Sequence, residues 1–270
     1  MLGRIIKYEW KGTARILLPI QAIVLILSLL ARFQIQPVIS TSYRYYSASS
    51  RIFGAVSNTI IFAYIVVLII ANAFTFIYLF QNYYRTMFKD AGYLTHTLPV
   101  KTPTILHGKF IMNFIWILIS IVVAMLSMLI AFWSGDFFGF MGEVVNAVVR
   151  ESQSWNHSFV WYIIMTLLLV LGCIASTILE FYLCMSVGQL AQKHHLLAGV
   201  GTFFAIYIIQ KIVANIFLGL QGGIGVLLFE SSLDELIDKI YVWGLIEYMI
   251  IIVVCYILTR LITTNKLNLE

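Results

Sequence analysis

Charge is what this chain has least of: 11% of its residues are Asp, Glu, Lys or Arg, against 61% hydrophobic. A soluble globular domain carries about a quarter charged residues, and a water-soluble surface cannot be built from so few. Proline is scarce as well. Pro19, Pro37, Pro99 and Pro103 all fall near the ends of apolar runs, so the long apolar segments are expected to keep their backbone hydrogen bonds intact. The three cysteines, Cys173, Cys184 and Cys255, sit inside apolar segments. Cys173 and Cys184 are about 16 Å apart along a helix, and no disulfide framework is implied. The sequence contains no G-x-x-x-x-G-K-[ST] phosphate loop, no H-E-x-x-H and no G-x-S-x-G, so common signatures of nucleotide hydrolysis, zinc proteolysis and serine hydrolysis are missing. His194 and His195 are adjacent and point to different sides of a helix, while two prolines separate His96 from His107. Neither pair has a metal-ligand spacing.

What is present is a succession of apolar runs long enough to cross a hydrocarbon core of about 30 Å. Six spans are expected: Arg15–Ala31, Ser57–Phe80, Phe110–Trp133, Phe159–Val187, Leu196–Gly219 and Tyr241–Ile262. The first has a long basic lead and no clean small-residue cleavage site after it, which favours a span over a cleaved signal peptide. The net charge of +5 does not form one broad patch of the kind that binds nucleic acid; the basic residues cluster beside apolar runs, as topology signals do. With the N-terminus inside, eleven basic residues from Arg4 to Lys266 fall inside, against Arg32, Arg44, Arg51, Arg150 and Lys239 outside. Both termini are therefore expected in the cytoplasm.

The segments between spans carry further structure. Arg4, Lys7, Lys11 and Arg15 recur on one helical face, with Leu2, Ile5, Ile6 and Trp10 opposite, so residues 1–14 are expected to form an amphipathic helix on the inner membrane surface. Glu9 falls in its apolar arc and calls for a basic partner from elsewhere in the assembly. Phe137, Phe140, Met141, Val144, Val145 and Val148 repeat at helical spacing after the third span, predicting an amphipathic helix that lies on the outer interface or caps the bundle. In residues 220–240, Gly222, Gly223 and Gly225 break the chain and Ser232 with Glu235 forms a capping box, predicting an outer re-entrant segment shielded by protein. The longest inner segment, residues 81–109, mixes aromatic, basic and apolar side chains; it reads as a compact cytoplasmic helical element or as an ordinary connector.

Within that inner segment, FKDAGYLTHTLP at Phe88–Pro99, followed by a basic residue and the start of a span, resembles the cytoplasmic loop of bacterial ABC-2-type transporter permeases. The C-terminal TRLITTNKLNLE is similar to the tail of that group, and the order of six spans behind a basic amphipathic helix covers nearly the whole chain. The resemblance implies an all-α membrane protein with a cytoplasmic coupling helix between spans 2 and 3, paired with a second permease subunit, identical or related, and resting on a cytoplasmic ABC ATPase subunit. Carried over by position, Arg85–Leu98 becomes the coupling element: Phe88, Tyr93 and Leu94 enter the ATPase groove, and Lys89 and Asp90 pair with charges at its rim. Leu2–Ala14 becomes the connecting helix. His96 departs from the apolar residue expected there. Because the chain has no phosphate loop, ATP and Mg are expected on the partner ATPase, and this chain is expected to hold no cofactor or metal and to carry no catalysis.

Three charges lie inside expected spans. Glu180 is near the inner end of the fourth and either reaches the interface or serves the interior. Lys211 and Glu247 both fall about 10 Å below the outer surface. They are placed to pair, whether to hold two helices together or to line a pathway; snorkelling of Lys211 is the simpler alternative. The reading that follows is the permease subunit of an ABC exporter in the bacterial cytoplasmic membrane, moving an apolar or amphipathic substrate such as a peptide, lipid or drug, in contact with membrane lipid and no nucleic acid. The alternative is a membrane scaffold or sensor that binds partners through its cytoplasmic loop without transport. A membrane-embedded lipid enzyme is disfavoured, because Glu180, Lys211 and Glu247 do not converge at one depth.

Overall fold

The computed structural model describes the backbone of residues 2–40, 48–89, 102–133, 135–152, 157–191, 194–220 and 233–265; side chains are described at 2–33, 59–89, 102–133, 137–152, 157–191, 194–195, 197–216 and 238–264. These residues form seven helices and no strand: α1 Leu2–Ser40, α2 Ala48–Phe88, α3 Thr102–Ala131, α4 Gly135–Glu151, α5 Phe159–Leu190, α6 His195–Leu220 and α7 Leu233–Asn265. Six of them, all but α4, are long and apolar enough to cross a membrane, the architecture of a multi-pass membrane protein.

The helices run past the expected boundaries. Residues 2–14 and the first span are one continuous helix, α1, which passes through Pro19. Pro19 has no amide hydrogen for the carbonyl of Arg15, so one rung of the helix is missing there. The chain from Leu233 to Ile240, expected within the outer segment, is the beginning of α7; residues 221–232 lie outside the described residues. α3 starts at Thr102 with Pro103 in its first turn, where the missing donor is harmless.

The chain divides into two compact units. The first takes in α1, α2 as far as Asn82, α3 from Ile111, and α4 as far as Val148. In α1 the buried residues Ala14, Leu17, Gln21, Val24, Ser28 and Ala31 alternate by three and four, the seam of a coiled-coil-like packing. Two apolar clusters fill the unit, one around Leu17, Leu79 and Trp116, the other around Val24, Tyr64 and Leu68. Polar side chains join the helices at successive depths. Asn82 donates to Glu9 at 3.2 Å, and the Trp116 indole donates to Thr13 at 2.8 Å while stacking on Trp10. Gln21 uses both hydrogens of its amide nitrogen, donating to Thr75 and to Ser120 at 3.2 Å each; Thr75 passes its proton to the carbonyl of Ala71, and Ser120 to the Asn72 side-chain oxygen. Tyr64 and Ser127 hydrogen-bond at 2.9 Å. These pairings give α1 and α2 opposite directions, and α2 and α3 opposite directions. Glu9 thus has an amide partner inside its own chain.

The second unit contains the ends of α2 and α3 that flank the connecting loop, Tyr83 onward and as far as Phe110, together with α5, α6 and α7. α5 packs on both α6 and α7. Tyr162 bonds Asp238, Thr166 bonds Tyr241, and Gly172 faces Tyr248, a constant offset that makes α5 and α7 parallel. Gln210 bonds Glu180, and Gly199 approaches Gly188, which makes α6 antiparallel to α5. Backbones come close at the latter contact because neither residue has a side chain: a Cβ on Gly188 would stand 2.9 Å from the carbonyl oxygen of His195, and one on Gly199 3.2 Å from that of Cys184.

Candidate functional site

On the loop side, the end of α2 is fixed to α5 and to the start of α3. Tyr83 stacks flat on Tyr182, with ring centroids 3.6 Å apart, and Gln189 donates to the Tyr84 hydroxyl at 2.7 Å. Lys109, in the second turn of α3, is buried and donates to Thr86 of α2 at 2.5 Å. A buried ammonium is tolerated only where oxygen acceptors replace its water; here it ties the two flanking helix ends together. His107 donates from Nδ1 to the carbonyl of Pro103, and its ring lies 5.2 Å from that of Tyr256.

Against this frame sits a cleft of about 490 Å³ between α5 and α6, lined by Tyr84, Phe181, Cys184, Gly188, His195 and Phe203. Its walls are mostly apolar, with Gln189 and the His195 ring at polar points, the composition of a site for an apolar or amphipathic molecule. A second cleft, about 540 Å³, lies at the other end of the unit, lined by Phe159, Tyr162, Thr166, Val170 and Tyr241. Beside it Tyr162 donates to Asp238 at 2.8 Å, and His157 stands 3.6 Å from the same carboxylate.

Of the expected coupling residues, Arg85 and Phe88 occupy the last turn of α2 and Lys89 the bend that ends it. Arg85 is exposed. Phe88 is half-buried, edge-on to Tyr83 and tilted against Tyr84; Lys89 lies over the Tyr84 ring at 5.8 Å. Asp90, Tyr93, Leu94, His96 and Leu98 lie outside the described residues.

Glu180 and Glu247 lie within electrostatic range of each other. Glu180 accepts from Gln210 at 2.8 Å. Lys211, one residue further along α6, is exposed, with its ammonium 5.5 Å from the Tyr207 ring. Glu247 adjoins Tyr248, which is level with Gly172 of α5, eight residues (180 − 172) from Glu180. Lys211 and Glu247 form no ion pair with each other among the described residues. Among the described residues no group of His, Cys, Asp or Glu could hold a metal ion. Gln21, Lys109 and Gln210 are the polar residues that sequence reasoning missed; a lone Gln or Lys in an apolar run carries no periodic signal of its own.

No protein-family model matches the chain, and neither the curated proteins nor the solved structures provide a match.

Proposed function

We propose that this chain is the permease subunit of an ABC-2-type exporter in the bacterial cytoplasmic membrane, with both termini in the cytoplasm. It pairs with a second permease subunit and couples through Arg85–Leu98 to a separate cytoplasmic ATPase, which binds ATP and Mg. The cargo is apolar or amphipathic, a peptide, lipid or drug, in keeping with the composition of the two clefts. The observation that carries the reading is the segment FKDAGYLTHTLP at Phe88–Pro99, set between two helix ends that Lys109, Tyr83 and Tyr84 tie to each other and to α5. Force applied to such a loop is delivered to α5 and, at the cleft, to α6.

The test is affinity purification of the tagged chain from its native membrane in mild detergent. An Arg85→Glu, Lys89→Glu variant changes two exposed charges, and a Leu94→Asp variant changes the loop itself. The expected result is an ATPase that comes down with the wild type and is lost from both variants, which keep the wild-type gel-filtration profile. If an ATPase never co-purifies while the fold is preserved, the exporter reading fails and a scaffold or sensor that binds other partners through the loop replaces it.

A further inference from the structure

Among the described residues, α4 carries an apolar face without a partner in this chain. Phe140, Met141, Val144, Val145 and Val148 fall within an arc of about 140° at the helical period, and Glu143, Asn146 and Arg150 share the opposite side. Every one of those five apolar residues is exposed, Phe140 by 62% and Val145 by 51%. The face is therefore not packed on this chain, and in water it would be a liability.

Its surroundings identify what covers it. The guanidinium of Arg32 lies 5.9 Å from the Trp133 ring, and Arg and Trp meet in this way at the membrane–water boundary, where a long cation reaches water and an indole sits among headgroups. α4 begins two residues after Trp133. Phe132 stacks near Phe137, and Trp133 meets Phe138 edge-on at 4.9 Å, so the helix starts at that same boundary. Its far end is joined by residues 152–158 to the next span, which opens with Phe159 and Trp161. The near end of α4 therefore lies at the end of α3 opposite the α2–α3 loop, and in sequence its far end leads into the next span.

We propose that α4 lies in the headgroup layer of that leaflet, with the Phe140–Val145 face among the acyl chains and Glu143, Asn146 and Arg150 toward water. The occupant of the face is lipid, not protein. The described polar face and last turn carry Glu143, Glu151 and Arg150, which gives no net attraction for anionic headgroups, so apolar burial supplies the binding. A zwitterionic surface is sufficient.

The experiment uses the full chain in sealed vesicles of phosphatidylcholine, alone or mixed with phosphatidylglycerol. A photo-cross-linking phenylalanine analogue replaces Phe140, Val145 or, on the other face, Asn146. Replacement at Phe140 is nearly isosteric, and an unchanged gel-filtration profile verifies the fold. The expected result is lipid adducts about tenfold more abundant from positions 140 and 145 than from 146, with the same yield in both vesicle compositions. Equal low yields at all three positions would mean a helix standing in water, adducts to a second copy of the chain would mean a capped bundle, and lipid adducts that require phosphatidylglycerol would mean charge-driven binding. Each of these outcomes overturns the proposal.

Discussion

The amide of Gln210 donates to the carboxylate of Glu180 at 2.8 Å, joining α6 to α5 within the membrane-spanning segments. Both are partly buried, and each supplies a hydrogen-bond partner in place of the water lost on burial. Replacing Gln210 with Leu is expected to lower stability by about 1–2 kcal/mol, in the range of interhelical hydrogen bonds in lipid and of a polar group left without its donor. Glu180→Gln keeps an acceptor oxygen in place and is expected to lose less. Titration of the solubilised protein with a denaturing detergent reads both.

At the loop-side frame, Thr86→Val takes one acceptor away from the buried Lys109 ammonium. A loss of about 1–3 kcal/mol is expected, with Thr86→Ser recovering most of it because the hydroxyl returns. Thermal unfolding of the three proteins, compared in one detergent, checks the order.

Glycines in the second unit provide a graded test. Gly188→Ala pushes a methyl to 2.9 Å from a backbone oxygen, Gly199→Ala to 3.2 Å from another, and Gly201→Ala into open space. Backbone atoms cannot step aside as side chains do, so Gly188→Ala is expected to destabilise most, by about 1–3 kcal/mol, and Gly199→Ala less. Gly201→Ala is expected to be neutral, or stabilising by up to about 1 kcal/mol through helix propensity. Equal melting temperatures for the three would show that α5 and α6 are not in close contact here.

In the first unit, Gln21→Leu removes two donated hydrogen bonds but leaves Thr75 bonded to the Ala71 carbonyl and Ser120 to Asn72. The expected loss is therefore moderate, about 1 kcal/mol. Gln21→Ala adds a cavity beside the seam and is expected to lose at least 1 kcal/mol more. A difference between the two variants that vanished would mean that the site collapses freely.

The six long helices were legible because a run of about twenty apolar residues has few other uses. Their ends were harder to find: apolar content marks the part inside lipid, whereas a helix such as α2 continues as far as its backbone bonds allow, to Phe88. The helix after the third span was legible from its own periodicity and is found as α4. The site was less so. Lys109 reads as one more inner-side topology charge, and only its burial shows that it binds two helix ends together. Lys211 and Glu247 illustrate the complementary difficulty. Counting from span ends assumes ends that are level, while the actual register is set by contacts such as Gly172 with Tyr248. Gln21 meets partners on two other helices that no local pattern announces.

The parallel run of α5 and α7 also has a consequence for biogenesis. α5 and α6 are neighbours in sequence and can zip together as a hairpin, Glu180 on Gln210, as soon as both have left the ribosome. Tyr162 and Thr166, by contrast, have their partners on α7, at Asp238 and Tyr241, which are synthesised some seventy residues later. Until α7 inserts, the side of α5 that bears Tyr162 and Thr166 lacks these partners, so arrival of α7 completes the packing of α5.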